Sequence, residues 1–157
     1  MEGLKKCLSC YKEAYRNYEM EQNKIGMTNT LRNIGKSMHG LEKLDSAYFY
    51  LDRAFVFAKN ENLESQMAYI LSSMGSIYAE KGLYEKALAY QKESLNYSRI
   101  QNTKSSCYYA IGESYVNIQK LDSALLYVDS ALMSKDLYVK CSANWLLYTI
   151  CLKNAGL

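Results

Sequence analysis

Three stretches of this chain can be laid on one another. "NTLRNIGKSMHGLEKLDSAYFYLDRAF", "AYILSSMGSIYAEKGLYEKALAYQKESL" and "CYYAIGESYVNIQKLDSALLYVDSAL" align on Gly35, Gly75 and Gly112, which stand 40 and then 37 residues apart. Ala47, Ala87 and Ala124 follow their glycines by 12 residues, and Ala54, Ser94 and Ala131 follow by 19. Three columns sharing one period call for a repeat architecture, in which each unit buries its apolar face against the next.

Within each unit the apolar residues recur at helical spacing: Leu31, Ile34 and Met38, then Leu71, Met74 and Tyr78, then Tyr108, Ile111 and Tyr115. A break follows at "HGLEKLD", "EKGLYE" and "NIQKLD", where Asp45 and Asp122 are placed to cap a second helix. Each unit therefore reads as a helical hairpin, helix A then helix B. Small residues at Gly35, Ala47, Ala54, Gly75, Ala87, Ser94, Gly112, Ala124 and Ala131 let the helix axes approach, where larger side chains would hold them apart. One 40-residue step back from Ala47 and Ala54 reaches Cys7 and Ala14, so the opening stretch reads as a helix B with the same packing columns. The chain has no proline and only 8 glycines, which leaves little to punctuate a strand-rich fold and predicts an all-α one.

These residues resemble the tetratricopeptide repeat, whose pattern runs aromatic, Leu-Gly, Tyr in helix A and Ala, aromatic, Ala in helix B. "MGSIYAEKGLYEKALAY" is the most faithful copy, with Gly75, Tyr78, Gly82, Tyr84 and Ala87 at family spacing. The resemblance implies a right-handed superhelical solenoid of antiparallel helical hairpins. The family's proline at the end of helix B is missing and the period is longer than its usual 34. Longer repeats of this kind resemble those of bacterial signal-transduction and peptide-sensing proteins more than those of cochaperones, and an extra turn of helix B is expected.

On this alignment residues 1–157 form a single tetratricopeptide-like domain. Residues 1–25 hold a helix B, 27–64, 65–103 and 104–136 hold full repeats, and 137–157 hold a helix A. Trp145 takes the position where the family often has tryptophan, with Thr149 in place of the glycine, and Gly156 and Leu157 match Gly82 and Leu83 of an inter-helix turn. A chain that opens on helix B and stops on helix A reads as a fragment of a longer protein. Trp145, Leu146, Leu147, Tyr148, Ile150 and Leu152 are then expected to form an exposed apolar end face, through which isolated copies would pair as homodimers.

No catalytic residue, metal site or cofactor is expected. The CxxC of Cys7 and Cys10 has no second ligand pair and no preceding strand, so packing accounts for it better than redox or zinc chemistry. His39 is the only histidine and shares a helical face with Arg32 and Lys36. The recurrent "LDSA" is a helix start, and every recurring glycine has a packing or turn role. Five cysteines at irregular spacing read as thiols, which suits a reducing compartment; a targeting segment would lie in the flanks. The net charge of +3 includes no basic block, which argues against nucleic acid as a partner. The longest apolar run, Trp145–Leu152 with a threonine inside, is too short to span a bilayer.

Tetratricopeptide domains are binding scaffolds, and the resemblance implies an extended peptide or partner helix held in a concave groove built from the A helices. Carried over by position, the groove takes Asn29, Arg32, Lys36 and His39 from the first full repeat, Tyr69, Ser72 and Ser76 from the second, and Ser106, Tyr109, Glu113 and Asn117 from the third. The clamp with which chaperone-binding members hold a terminal carboxylate is broken, because Ser73, Ser106 and Ala110 stand where its later amide and cations would be. The expected function is therefore protein or peptide binding by the sensor or interaction segment of a larger bacterial signalling protein. The alternative is a structural assembly module that associates through its apolar ends.

Overall fold

The structure is a computed structural model that describes residues 2–155, with residues 2, 4, 5 and 102 as backbone only. Gly156 and Leu157, matched above to a turn, lie outside the described residues. Eight helices follow one another: α1 (Glu2–Met20), α2 (Lys24–Gly40), α3 (Leu44–Asn60), α4 (Glu64–Glu80), α5 (Tyr84–Tyr97), α6 (Gln101–Asn117), α7 (Leu121–Leu132) and α8 (Leu137–Asn154). No strand occurs among the described residues. No described helix is long and apolar enough to cross a membrane.

What ends the helices is a backbone motif rather than a breaker residue. Gln22, Glu42, Asn62, Gly82 and Gln119 all have φ between 53° and 73°, the left-handed region. At each, two amides turn back onto the preceding helix, as Glu42 N–H donates to the His39 carbonyl at 2.8 Å and Lys43 N–H to the Met38 carbonyl at 2.9 Å. This is the Schellman arrangement, and it satisfies carbonyls that a helix end would otherwise leave open. Asp45 and Asp122 do not cap their helices as expected. The N-cap positions are Lys43 and Lys120, neither of which makes a side-chain capping bond, and the aspartates sit in the first turn. There their charge is favourable at the positive end of the helix dipole.

Helices of 17 residues alternating with turns of three give the 40-residue period, and α5, with 14 residues, gives the 37. α3 is 17 residues long and α5 14, so the difference between the two periods is close to one helical turn.

Packing divides the chain into two compact units, Met1–Met74 and Gly75–Leu157, with the division inside α4. In the first unit α2 packs against α1 and α3; in the second, α6 packs against α5, α7 and α8. The small-residue columns meet as the repeat requires. A Cβ on Gly35 would lie 2.8 Å from Leu51 Cγ and 3.1 Å from the Ala47 carbonyl oxygen. The equivalent atom on Gly75 would meet Gln91 Cγ at 2.8 Å, and on Gly112, Val128 Cγ2 at 3.1 Å. Ala47, Ala54, Ala87, Ser94, Ala124 and Ala131 are fully buried. Cys7 departs from its column: it is exposed, as is Cys10, and Ala14 is half-buried. Among the described residues α1 packs against α2 in its unit, and the side that carries Cys7 is open.

The face expected on α8 needs a second correction. Leu146 and Ile150 are buried, together with Val139 and Ala143, in a core shared with Val116, Ala124, Val128 and Ala131. Leu147 packs against the same core and Leu152 is half-buried. The outward stripe is Tyr138, Cys141, Trp145 and Tyr148, at i, i+3, i+7 and i+10. The contiguous apolar run thus wraps round the helix, and its inward members fill the core of the second unit.

Candidate functional site: the outer faces of α2 and α6

The A helices carry half-buried and exposed polar residues at the positions that the repeat alignment assigns to a groove. On α2, Asn29, Arg32 and His39 are half-buried and Lys36 is exposed. In the same unit α4 contributes Tyr69 and Ser72, both half-buried. The structure brings two of these together: the Arg32 guanidinium carbon lies 5.3 Å from the centroid of the Tyr69 ring, a cation–π geometry. One Arg32 Nη donates to Asn33 Oδ1 at 3.3 Å, and Nε is sealed from solvent without a hydrogen-bond partner. No carboxylate pairs with Arg32 among the described residues. Burial pulls its pKa down, against an opposing pull from Tyr69 and Tyr11. The guanidinium nevertheless stays charged at any ordinary pH. Its ring-stacked, under-bonded head is fixed in orientation and has donors to spare.

The second unit holds a cavity of about 410 Å³. Ser76 and Glu80 of α4 form one wall, Glu113 and Asn117 of α6 the other, and Gln91 and Ser114 line it between them. Three of these residues, Ser76, Glu113 and Asn117, were expected from sequence. Glu113 is held from two directions, its Oε1 accepting from the Tyr109 hydroxyl at 3.1 Å and its carbonyl from Asn117 Nδ2 at 2.9 Å. The Tyr109 hydroxyl is pushed up to about 12, first by burial and then by the Glu113 charge and hydrogen bond. It remains a donor throughout the physiological range.

Gln91 and Ser114 were not expected. Gln91 stands in the column that Leu51 and Val128 occupy in the other repeats, 16 residues after the glycine. It is 3% exposed, and its Oε1 accepts from the Ser114 hydroxyl at 3.0 Å. A polar residue in an otherwise apolar repeat column was the signal available in the sequence. The remaining groove candidates, Asn29, Lys36, His39, Ser72 and Ser106, line neither feature; Lys36 and Ser106 are exposed. Among the described residues no three His, Cys, Asp or Glu side chains converge as a metal site would need.

No protein-family model matches the chain. Over 72 residues, 46% of its length, the chain is 33% identical to human protein O-mannosyl-transferase TMTC2, and the match spans 9% of that protein. In structure it is similar to BtubC (BKLC) from P. vanneervenii, with a TM-score of 0.82, 20% sequence identity, and coverage of 98% of this chain and 67% of that one. At that identity the likeness shows the fold alone. The chain is an all-α helical-repeat protein of the solenoid class, and both likenesses are compatible with tetratricopeptide-like repeats.

Proposed function

We propose that this chain is a protein-interaction scaffold, not an enzyme, which binds an extended peptide or a partner helix along the outer faces of its A helices. The reading includes a place as the sensor or interaction segment of a larger bacterial signalling protein. The observation that carries it is the placement of half-buried polar groups that the core does not need. Arg32 is stacked on Tyr69 with spare donors, and a polar cavity is sunk between α4 and α6 of the second unit. Fixed donors, aromatic faces and recessed polar space each offer contact at small entropy cost.

The test is affinity capture from lysate of the source cells, comparing the unmodified chain with the triple variant Arg32→Glu, Tyr69→Ala, Tyr109→Ala, after checking that both melt cooperatively. A partner retained by the first and lost by the second supports the reading. The same partner on both overturns it.

One observation favours a second reading, association of copies. Tyr138, Trp145 and Tyr148 are 79%, 64% and 61% exposed along one stripe of α8. Sedimentation velocity of the chain with and without Trp145→Lys and Tyr148→Lys decides it: a concentration-dependent dimer abolished by the pair supports it, and a monomer at all concentrations removes it.

A further inference from the structure

A recess of about 190 Å³ opens in the first unit among α1, α2 and α3. Its floor is apolar, formed by Leu31 and Ile34 of α2, both buried in the core. Its rim is basic: Lys12 and Arg16 stand one helical turn apart on α1, and Arg53 joins them from α3. Tyr15 and Tyr50, both half-buried, complete the wall, and among the described residues no carboxylate lines it. The three cations are exposed, and none of them makes an ion pair or a hydrogen bond with another described side chain. Arg53 touches only an aromatic face, its guanidinium carbon 5.6 Å from the centroid of the Phe49 ring. Like charges at i and i+4 of one helix repel, and a third on the same recess adds to that cost.

The repeats show that packing does not ask for these charges. On the repeat alignment Lys12, Arg16 and Arg53 correspond to Lys92, Asn96 and Ser130 of the second unit. One cation remains there, and it is satisfied: Lys92 Nζ donates to the Tyr115 hydroxyl at 2.7 Å and lies 5.2 Å from that ring's centroid. In the first unit the place of Tyr115 is taken by Met38, which offers Lys12 no oxygen. The same fold is thus built with one partnered cation in one unit and with three unneutralised ones in the other. Residues 1–60 carry ten Lys and Arg against seven Asp and Glu, which is the whole of the chain's net charge of +3.

We propose that this recess binds a small organic phosphate. Two guanidinium forks and an ammonium supply the charge that a doubly charged phosphoryl group needs, and arginine matches its oxygens two at a time. The Tyr15 and Tyr50 hydroxyls are further donors. The carbon body of the ligand lies on Leu31 and Ile34, and the volume admits a phosphoryl group with one ring or a short chain. The site is separate from the A-helix faces to which partner binding is assigned above, since none of its residues belongs to them.

The experiment is an NMR titration of the 15N-labelled chain at constant ionic strength, following the backbone amides of Tyr15, Ile34 and Arg53. The probes are phenyl phosphate, benzoate and inorganic phosphate. Phenyl phosphate should shift all three amides saturably. Benzoate, which keeps the ring and lacks the second charge, and inorganic phosphate, which has no body for the floor, should each bind at least about tenfold more weakly. Arg16→Gln/Arg53→Gln, at exposed positions outside the core, should weaken phenyl phosphate by about tenfold or more. Lys59→Gln, an exposed charge of α3 outside the recess, should leave its affinity unchanged. Equal affinity in the arginine variant, an equal loss in Lys59→Gln, or shifts confined to other residues would each overturn the assignment. So would inorganic phosphate binding as tightly as phenyl phosphate, the mark of an adventitious ion only. Absence of any saturable shift overturns it as well, and leaves affinity capture by the A-helix faces to stand or fall on its own variants.

Discussion

Gly35 and Gly112 occupy the same repeat column but differ in the room left for a methyl group. At Gly35 a Cβ would press on Leu51 at 2.8 Å and on backbone at 3.1 Å, whereas at Gly112 the tightest approach is 3.1 Å, to the branched end of Val128. Alanine gains helix propensity at both, so overpacking decides the sign. Gly35→Ala is expected to cost about 1–3 kcal/mol, and Gly112→Ala distinctly less, in urea denaturation. The Gln91–Ser114 pair gives a second prediction. Ser114→Ala leaves the buried Gln91 oxygen without its donor and should cost about 1 kcal/mol, whereas Gln91→Leu with Ser114→Ala removes both partners and should restore stability. Tyr109 gives a third. Its folded pKa, about 12, lies above the ordinary value of 10.0, so the folded state holds the proton where the unfolded chain releases it. The stabilisation is complete below pH 10 and is lost as pH rises toward 12. Tyr109→Phe should therefore lose less stability than the unmodified chain over that interval, as read by denaturant midpoints at each pH. At this scale the packing columns were legible because small residues recur at one spacing. Gln91 was not, because a single polar substitution in a column shows its use only once the neighbouring Ser114 and the cavity are seen.

The helices were legible from their apolar spacing, but the way they end was not. Schellman turns ordinarily announce themselves by glycine, and here the left-handed position is filled by Gln22, Glu42, Asn62 and Gln119 as well as by Gly82. Side chains other than glycine pay about 1 kcal/mol or more for that conformation. The turn persists because its two backbone hydrogen bonds and the packing of both helices over-determine it. Gly82 isolates the backbone contribution, since a Cβ there would meet nothing within 4 Å. Gly82→Ala should destabilise by about 1 kcal/mol, and Gly82→Asn by less, because asparagine tolerates the left-handed region. Thermal melts of the three proteins check the order. α8 differs from the face its sequence predicts for a related reason. A run of apolar residues gives no face, and only the positions of α6 and α7 decide that Leu146 and Ile150 turn inward while Trp145 and Tyr148 turn out.

For the molecule as a whole, repeat periodicity identified the all-α hairpin array, and the structural likeness bears out that class. Function was legible only as far as the fold carries it: a repeat scaffold presents surfaces, and the chemistry of the partner must be read from what those surfaces hold. Here they hold a stacked, under-bonded arginine in the first unit and an acid-walled cavity in the second. The central claim is that the A-helix faces make the contact. The direct measurement is site-specific photo-crosslinking in lysate of the source cells, with benzoylphenylalanine replacing Lys36 or Ser106 on the A helices and, for comparison, Phe49 or Leu126 on the B helices, all four exposed. The account predicts adducts to a common partner from the first two positions and none from the second two. Adducts to that partner from Phe49 or Leu126, with Lys36 and Ser106 silent, would contradict it.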